Sequence, residues 1–316
     1  MLGTSQAKAY LAASLYAIII SLSFLFVKLA LAVSDPMDAM AHRFTISWLA
    51  IGIPVLFGWV RLNISWKDIV RILPLSLLYP AMFFSFQGYG LSYSSSSEGG
   101  IIQATVPIFT MILASIFLKE RTTLWQKLSV MVSVAGVVFI FIMQGAGLSA
   151  DHLLGISLLL LSCLSFAGYN VLARPISQKF KGMEISFIML TIGFVCFNGM
   201  ALVKHGLDGS IHAFVQPLAS PTFVLSTLYL GVLSSLGTTL LLTYAISRME
   251  ASKLSVFSNL STLISMGAGV VFLGEQLKYY HVIGAVMIVA GVLGTNFLDK
   301  VRLGSRLELR EQKESM

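Results

Sequence analysis

The sequence predicts an all-α polytopic membrane protein, ten transmembrane helices arranged as two inverted five-helix repeats. Three observations carry that expectation. Hydrophobic residues make up 56% of the 316-residue chain and charged residues only 11%, against about 45–50% and about 25% in ordinary soluble domains. The apolar residues fall in long runs with few or no charges, such as Tyr10–Val27, Ile101–Leu118 and Val282–Leu298. Finally, Tyr89 to Val137 aligns without a gap on Tyr244 to Val292 at an offset of 155 residues.

A bilayer core about 30 Å thick needs roughly 20 apolar residues of helix. The runs that meet this place spans near 8–30, 37–59, 71–91, 98–118, 124–143, 153–174, 184–203, 222–246, 253–273 and 279–298. The first is the uncharged run between Lys8 and Lys28. The second carries Arg43 beside His42, and the third is rich in aromatics around Pro80. The fourth and fifth follow from Ile101–Leu118 and Val130–Met143, the sixth from Leu153–Ala173. The longest connection, Lys204 to Pro221, separates the seventh from the eighth and is marked by Gly206, Gly209, Pro217 and Pro221. The ninth and tenth are the repeat copies of the fourth and fifth. A cleaved signal peptide is disfavoured for the first span: its apolar stretch is longer than a usual signal core, and Lys28 interrupts the approach to Ala30-Leu31-Ala32.

The repeat divides the chain into a unit over 8–143 and a unit over 153–298, followed by a charged tail over 299–316. An odd number of spans per unit forces opposite orientations. The charges agree, since the first unit's four–five loop holds Lys119, Arg121 and Lys127 and its counterpart only Lys278. Cytoplasmic loops collect Lys and Arg. Placing both termini in the cytoplasm puts Arg61, Lys67, Lys179, Lys181 and the tail's basic residues inside, with Lys204 and Lys278 outside. The expected location is therefore the cell membrane, multi-pass, and inverted repeats of this kind build secondary transporters with a mid-membrane site.

The net charge of +7 is thus loop charge, and no nucleic-acid partner is expected; the partners are the lipid bilayer and a small-molecule substrate. Cys163 and Cys196 lie in apolar runs without metal-ligand spacing and read as small buried hydrophobes. The five His do not cluster, so neither metal nor cofactor is expected.

Each half resembles an EamA domain, the repeat unit of the drug/metabolite transporter superfamily. The residues that carry the resemblance are Lys28, Arg43, Pro107, Glu120 and Ala135-Gly136-Val137 in the first half, with Arg174, Glu275 and Ala290-Gly291-Val292 in the second. The chain departs from the pattern at Thr262, in place of a second Pro107, and at Met189, in place of a second Arg43. The resemblance covers about residues 10–298 and implies transport, mostly export of small metabolites such as amino acids, by alternating access. The alternative within the superfamily is an organic-phosphate or nucleotide-sugar type of carrier. A membrane-embedded enzyme ranks below both, because the chain has no His-Glu-x-x-His, no Gly-x-Ser-x-Gly and no Asp-rich metal motif.

Helical spacing nominates a site. Ser255, Ser258, Thr262 and Ser265 form one stripe on the ninth span, with Asn259 beside it; the aligned stripe on the fourth is Gly100, Gln103, Pro107 and Thr110. Small residues and hydroxyls on such stripes serve equally for helix packing, but an amide is costlier to bury unpaired, so Gln103 and Asn259 are read as cavity lining. The eighth span adds Ser234, Ser235, Thr238 and Thr239, the third adds Pro80, Phe83, Phe84, Phe86 and Gln87, and the sixth adds Tyr169 and Asn170. The substrate-binding candidates are Gln87, Gln103, Pro107, Tyr169, Asn170, Ser235, Thr239, Asn259 and Thr262. Arg43 is a vestibule candidate, against snorkelling to the interface or pairing with Glu98 or Asp38. Glu120 and Glu275 are expected to cap or anchor the next helix. No Asp or Glu falls in the middle of a span, which argues against a mid-membrane carboxylate relay.

Overall fold

The computed structural model describes residues 4–117, 124–144, 149–177, 179–246, 251–291 and 293–294. Glu120 and the tail from Asp299 lie outside the described residues, as do the side chains of Arg174 and Asn259. Within them every regular element is helical. The long helices are α1 Thr4–Leu31, α2 Pro36–Leu56, α3 Trp66–Tyr93, α4 Ser96–Phe117, α5 Leu124–Gln144, α6 Ala150–Ser177, α7 Gly182–Asp208, α8 Pro221–Leu242, α9 Ala251–Leu273 and α10 Tyr279–Gly291. Seven of them, α1–α4 and α6–α8, are long and apolar enough to cross a membrane by length and composition; α5, α9 and α10 contain shorter apolar stretches. Large apolar side chains such as Leu11, Phe57, Ile116, Leu202 and Val271 face outward, as they do when lipid is the solvent.

Local chemistry sets the helix ends. Asp35 caps α2, its carboxylate accepting from the backbone N–H of Met37 at 2.9 Å and Asp38 at 3.1 Å, with Pro36 in the first turn where its missing N–H costs nothing. Burial pushes the Asp35 carboxyl up, but hydrogen bonds from the Lys204 ammonium and the Asp38 N–H outweigh it and hold the group below the usual carboxylate range. Ser95 and Glu98 close a capping box at the start of α4: the Ser95 N–H donates to Glu98 Oε2 at 2.9 Å, and the Glu98 N–H donates to Ser95 Oγ at 3.0 Å. Lys28 caps the other end of α3, donating to the carbonyls of Leu91 and Ser94 at 2.8 Å each. α7 runs beyond its expected end at 203 to Asp208 and stops at Gly209, whose φ of 61° is the left-handed conformation glycine tolerates. The connection to α8 is itself partly helical, over Ile211–Val215 and Gln216–Ala219.

Packing interleaves the two halves. α2 lies along α7, α4 along α9, α1 along α8 and α9, and α6 along α3 and α4; α2 also meets α8, and α7 meets α3. α5 crosses α10 where the repeated Ala-Gly-Val motifs sit. A Cβ on Gly136 would stand 2.8 Å from the Gly284 carbonyl oxygen, and one on Gly284 2.9 Å from that of Gly136. The Ser133 hydroxyl donates to the Ile288 carbonyl across the same crossing at 3.0 Å. Close backbone approach through small residues is how membrane helices associate without a hydrophobic drive between them.

One end of the bundle is a polar seam between the halves. Lys204 pairs with Asp35, and His205 meets Asp38 at 2.8 Å. His42 contacts the Phe214 carbonyl at 2.8 Å and stacks on its ring, centroids 4.3 Å apart. His152 stands 3.3 Å from Glu98 and His281 4.0 Å. Glu275 does cap a helix, but α4 rather than the next in sequence: its carboxylate accepts from the backbone N–H of Ser96 at 2.7 Å and Ser97 at 2.9 Å, and from the Ser97 hydroxyl at 2.5 Å.

Candidate substrate site

Three helices lose their regularity at the same depth, and the candidate site lies among them. In α3, Pro80 has no N–H to donate and disfavours helical backbone at the residue before it. Tyr79 is accordingly extended, with φ −143° and ψ 113°, within a wider turn over Leu77–Met82 that contains a cis Tyr79–Pro80 bond. In α4, Pro107 removes the donor that would reach the Gln103 carbonyl; the helix is interrupted at Ala104 and Thr105 between Ser96–Gln103 and Val106–Phe117. In α8, Tyr229–Gly237 is wound as a wider π-type turn, with the Ser235 hydroxyl on the Leu230 carbonyl at 2.9 Å. Non-helical backbone at membrane depth is tolerated where it is buried in protein or lines a cavity.

The freed groups surround Tyr79. Its ring sits 5.1–5.2 Å from those of Phe83, Phe84, Phe166 and Tyr169. Two small cavities flank it. One is lined by Tyr16, Tyr79, Gln103, Phe166, Tyr169 and Thr239, with Thr238 and Phe83. The other is lined by Tyr79, Phe84, Ser186, Ser235 and Thr239, with Phe44 and Pro80. Each is small, with a volume of about 10 Å³. A larger groove of about 370 Å³ lies elsewhere, among Met37, Phe86, Tyr89, Leu154 and Met200; it holds none of the candidate residues and is almost wholly apolar.

The structure brings Gln103, Tyr169 and Thr239 to one cavity and Ser235 to its neighbour. The Cys163 thiol lies 3.7 Å from Gln103 Oε1 and 3.4 Å from the Ile102 carbonyl, filling the space behind the amide. Gln87 is buried but lines neither cavity, nor do Pro107 and Asn170. Thr262 is buried between helices, its hydroxyl donating to the Gly100 carbonyl at 3.2 Å. Asn259 lies in α9, with its side chain outside the described residues. Arg43 neither snorkels nor pairs with Glu98 or Asp38: it is 0% exposed, and its Nε donates to Ser235 Oγ at 2.9 Å. Sequence reasoning missed Tyr16, Tyr79, Phe166 and Thr238's place at the cavity. Tyr79 alone carried a signal, as the residue before a mid-span proline. Among the described residues no three His, Cys, Asp or Glu come together to hold a metal.

The model of the EamA-like transporter family matches residues 7–142 and again 153–297. The chain belongs to that family. The uncharacterized transporter YcxC from Bacillus subtilis (strain 168) is 54% identical over 296 residues, covering 94% of this chain and 95% of that one. A probable terminal-alkyne amino-acid exporter from Streptantibioticus cattleyicolor is 24% identical over 220 residues, 70% of this chain and 69% of that one. A solved crystal structure superposes with a TM-score of 0.64 at 17% identity, covering 94% of this chain and 99% of that one, a likeness of fold. This EamA transporter is therefore a multi-pass membrane protein that moves a small molecule.

Proposed function

We propose that the protein is a secondary transporter that exports a small amphiphilic metabolite, of amino-acid type, by alternating access. The observation that carries this reading is the aromatic site around Tyr79, where broken helices of both halves meet and where an amide and hydroxyls sit among apolar walls. Such a lining suits a compact solute with one polar end. The substrate contacts are Gln103, Tyr169, Ser235 and Thr239, with Gln87, Pro107, Asn170, Asn259 and Thr262 reached when the halves move. A probable amino-acid exporter among the relatives agrees with this, and one guanidinium beside the site suits a solute with a single carboxylate better than an organic phosphate, which recruits several cations.

The ten-span, inverted-repeat plan belongs to the same proposal. Exchange each helix with the one five places along. The α1–α8 contact becomes α6–α3, α1–α9 becomes α6–α4, and α2–α8 becomes α7–α3, while α2–α7, α4–α9 and α5–α10 map onto themselves. All of these contacts are present. That pattern supports a two-fold relation between the halves, with rocking about the central site as the transport step.

Purified protein in liposomes tests the reading: imposed gradients of amino acids should drive time-dependent movement that protein-free vesicles lack. Turnover of a compound without vectorial movement would make it an enzyme instead. Orientation in the cell membrane is read separately. In a background without Cys163 and Cys196, Ser149→Cys is expected to react with an impermeant maleimide in intact cells and Asn63→Cys only after lysis; the reverse pattern inverts the topology.

A further inference from the structure

Among the described residues, Arg43 has no charged partner. Its Nε donates to Ser235 and its Nη2 to Ser234 Oγ at 3.2 Å, both neutral hydroxyls of α8. The Phe84 ring lies under the guanidinium, 3.9 Å from its carbon to the centroid. Nη1 is buried and has no hydrogen-bond partner. Among the described residues no carboxylate lies within salt-bridge distance; the two that the sequence offered as partners are engaged elsewhere, Asp38 with His205 and Glu98 with His152. An uncompensated cation away from water costs several kcal/mol, and membrane proteins retain such groups where they face a pathway or a ligand.

One of the two central cavities lies beside it. Phe84 and Ser235, which touch the guanidinium, also line that cavity, together with Tyr79, Thr239 and Ser186. We infer that Arg43 is the receptor for the carboxylate of the transported solute, whose apolar side chain lies against the rings of Tyr79, Phe83, Phe166 and Tyr169. This rests on the transporter reading above and narrows it to solutes with one anionic end.

The chemistry is that of a fork. A guanidinium offers parallel N–H groups that match the two oxygens of a carboxylate, which an ammonium cannot do. One guanidinium matches one carboxylate and leaves a phosphate ester half-paired. The arrangement also places the receptor at a junction of the halves. Arg43 belongs to α2 and Ser234 and Ser235 to α8, so the guanidinium that would receive the anion through Nη1 and the second Nη2 N–H also carries hydrogen bonds between helices of the two halves. A ligand shifts a conformational equilibrium by its differential interaction with the two states.

The test uses the full chain in nanodiscs and matched probes: L-leucine, L-methionine and L-phenylalanine, the carboxamide of each, and sodium chloride titrated into a methanesulfonate buffer. At least one acid is expected to raise the melting temperature while its carboxamide does not. Arg43→Gln, which removes a charge that no described carboxylate balances, is expected to melt within about 2 °C of the parent or above it and to lose the response. Arg43→Lys keeps the charge without the fork and is expected to bind about tenfold more weakly or worse. The inference is overturned if no acid shifts the melt, or if acids and carboxamides shift it alike. It also falls if chloride alone reproduces the shift so that acids add nothing, or if a normally folded Arg43→Lys variant binds as tightly as the parent. Proteoliposome uptake separates the two levels of the reading. Uptake of a neutral solute that is indifferent to Arg43→Gln overturns this inference and leaves the transporter standing, whereas no uptake of anything fails the transporter reading itself.

Discussion

Gly136→Leu is expected to leave little folded protein in the membrane. A Cβ at Gly136 would stand 2.8 Å from the Gly284 carbonyl oxygen, 2.9 Å from Met287 Cβ and 3.1 Å from Ile288 Cγ1. Two of these are backbone or the atom next to it, so the neighbour cannot swing away. α5 and α10 would have to separate, and the Ser133–Ile288 hydrogen bond would go with them. Overpacking of this kind costs about 1–3 kcal/mol even where side chains can adjust, which in a chain of this size lowers the melting temperature by about 5 °C or more. Gly199→Leu is the matched control, because a Cβ there has nothing within 4 Å and points into open space on α7. Monodisperse yield and thermal melting of both variants check this; a Gly136→Leu protein that behaves like Gly199→Leu would mean the two backbones do not touch.

Gln103→Ala is the second large effect, and it is expected in transport and not in folding. The amide lies at the interruption of α4, shares a cavity with Tyr169 and Thr239, and is backed by the Cys163 thiol. A site built to hydrogen-bond its ligand loses about tenfold or more in affinity when one such group is removed. Concentration-dependent uptake of the solute identified in liposomes is expected to shift by that factor while the melting temperature stays within about 2 °C of the parent. Unchanged uptake, or loss of uptake only together with unfolding, makes Gln103 a packing group.

The helices were legible because apolar length is a one-dimensional property. Runs such as Tyr10–Val27 and Leu153–Ala173 can satisfy their backbone only as helix when lipid surrounds them. The end of α7 was not legible: Lys204 and His205 read as loop chemistry, yet both stay in the helix because Asp35 and Asp38 receive them from the other half. The family motif glycines were visible as a repeat, but their function in crossing needs the partner helix. At the site, Gln103 and Thr239 stood out as polar groups in apolar spans, and Tyr169 came with the polar sixth-span pair. Tyr16, Tyr79 and Phe166 did not, since an aromatic that lines a cavity and one that faces lipid look alike in a hydrophobic run. Arg43 was conspicuous in sequence, but its isolation was not, because which carboxylates are already taken is a fact about distances.

The seam at one end of the bundle has a kinetic meaning. Glu275, His281, Lys204 and His205 belong to the second half, and His152 lies at the start of α6, which leads into it; Ser96, Ser97, Glu98, Asp35 and Asp38 belong to the first. If the halves rock as proposed, parting them there would strip the Glu275 carboxylate of its helix N-terminus and open the lysine and histidine contacts of three other carboxylates together. Hydrogen bonds to charged groups contribute about 1.5–3 kcal/mol where they are buried and less at a partly exposed pair such as Lys204–Asp35. Under that proposal the seam is a latch whose contacts release as a group, so the opening of this end would meet one cooperative barrier rather than a gradual slope.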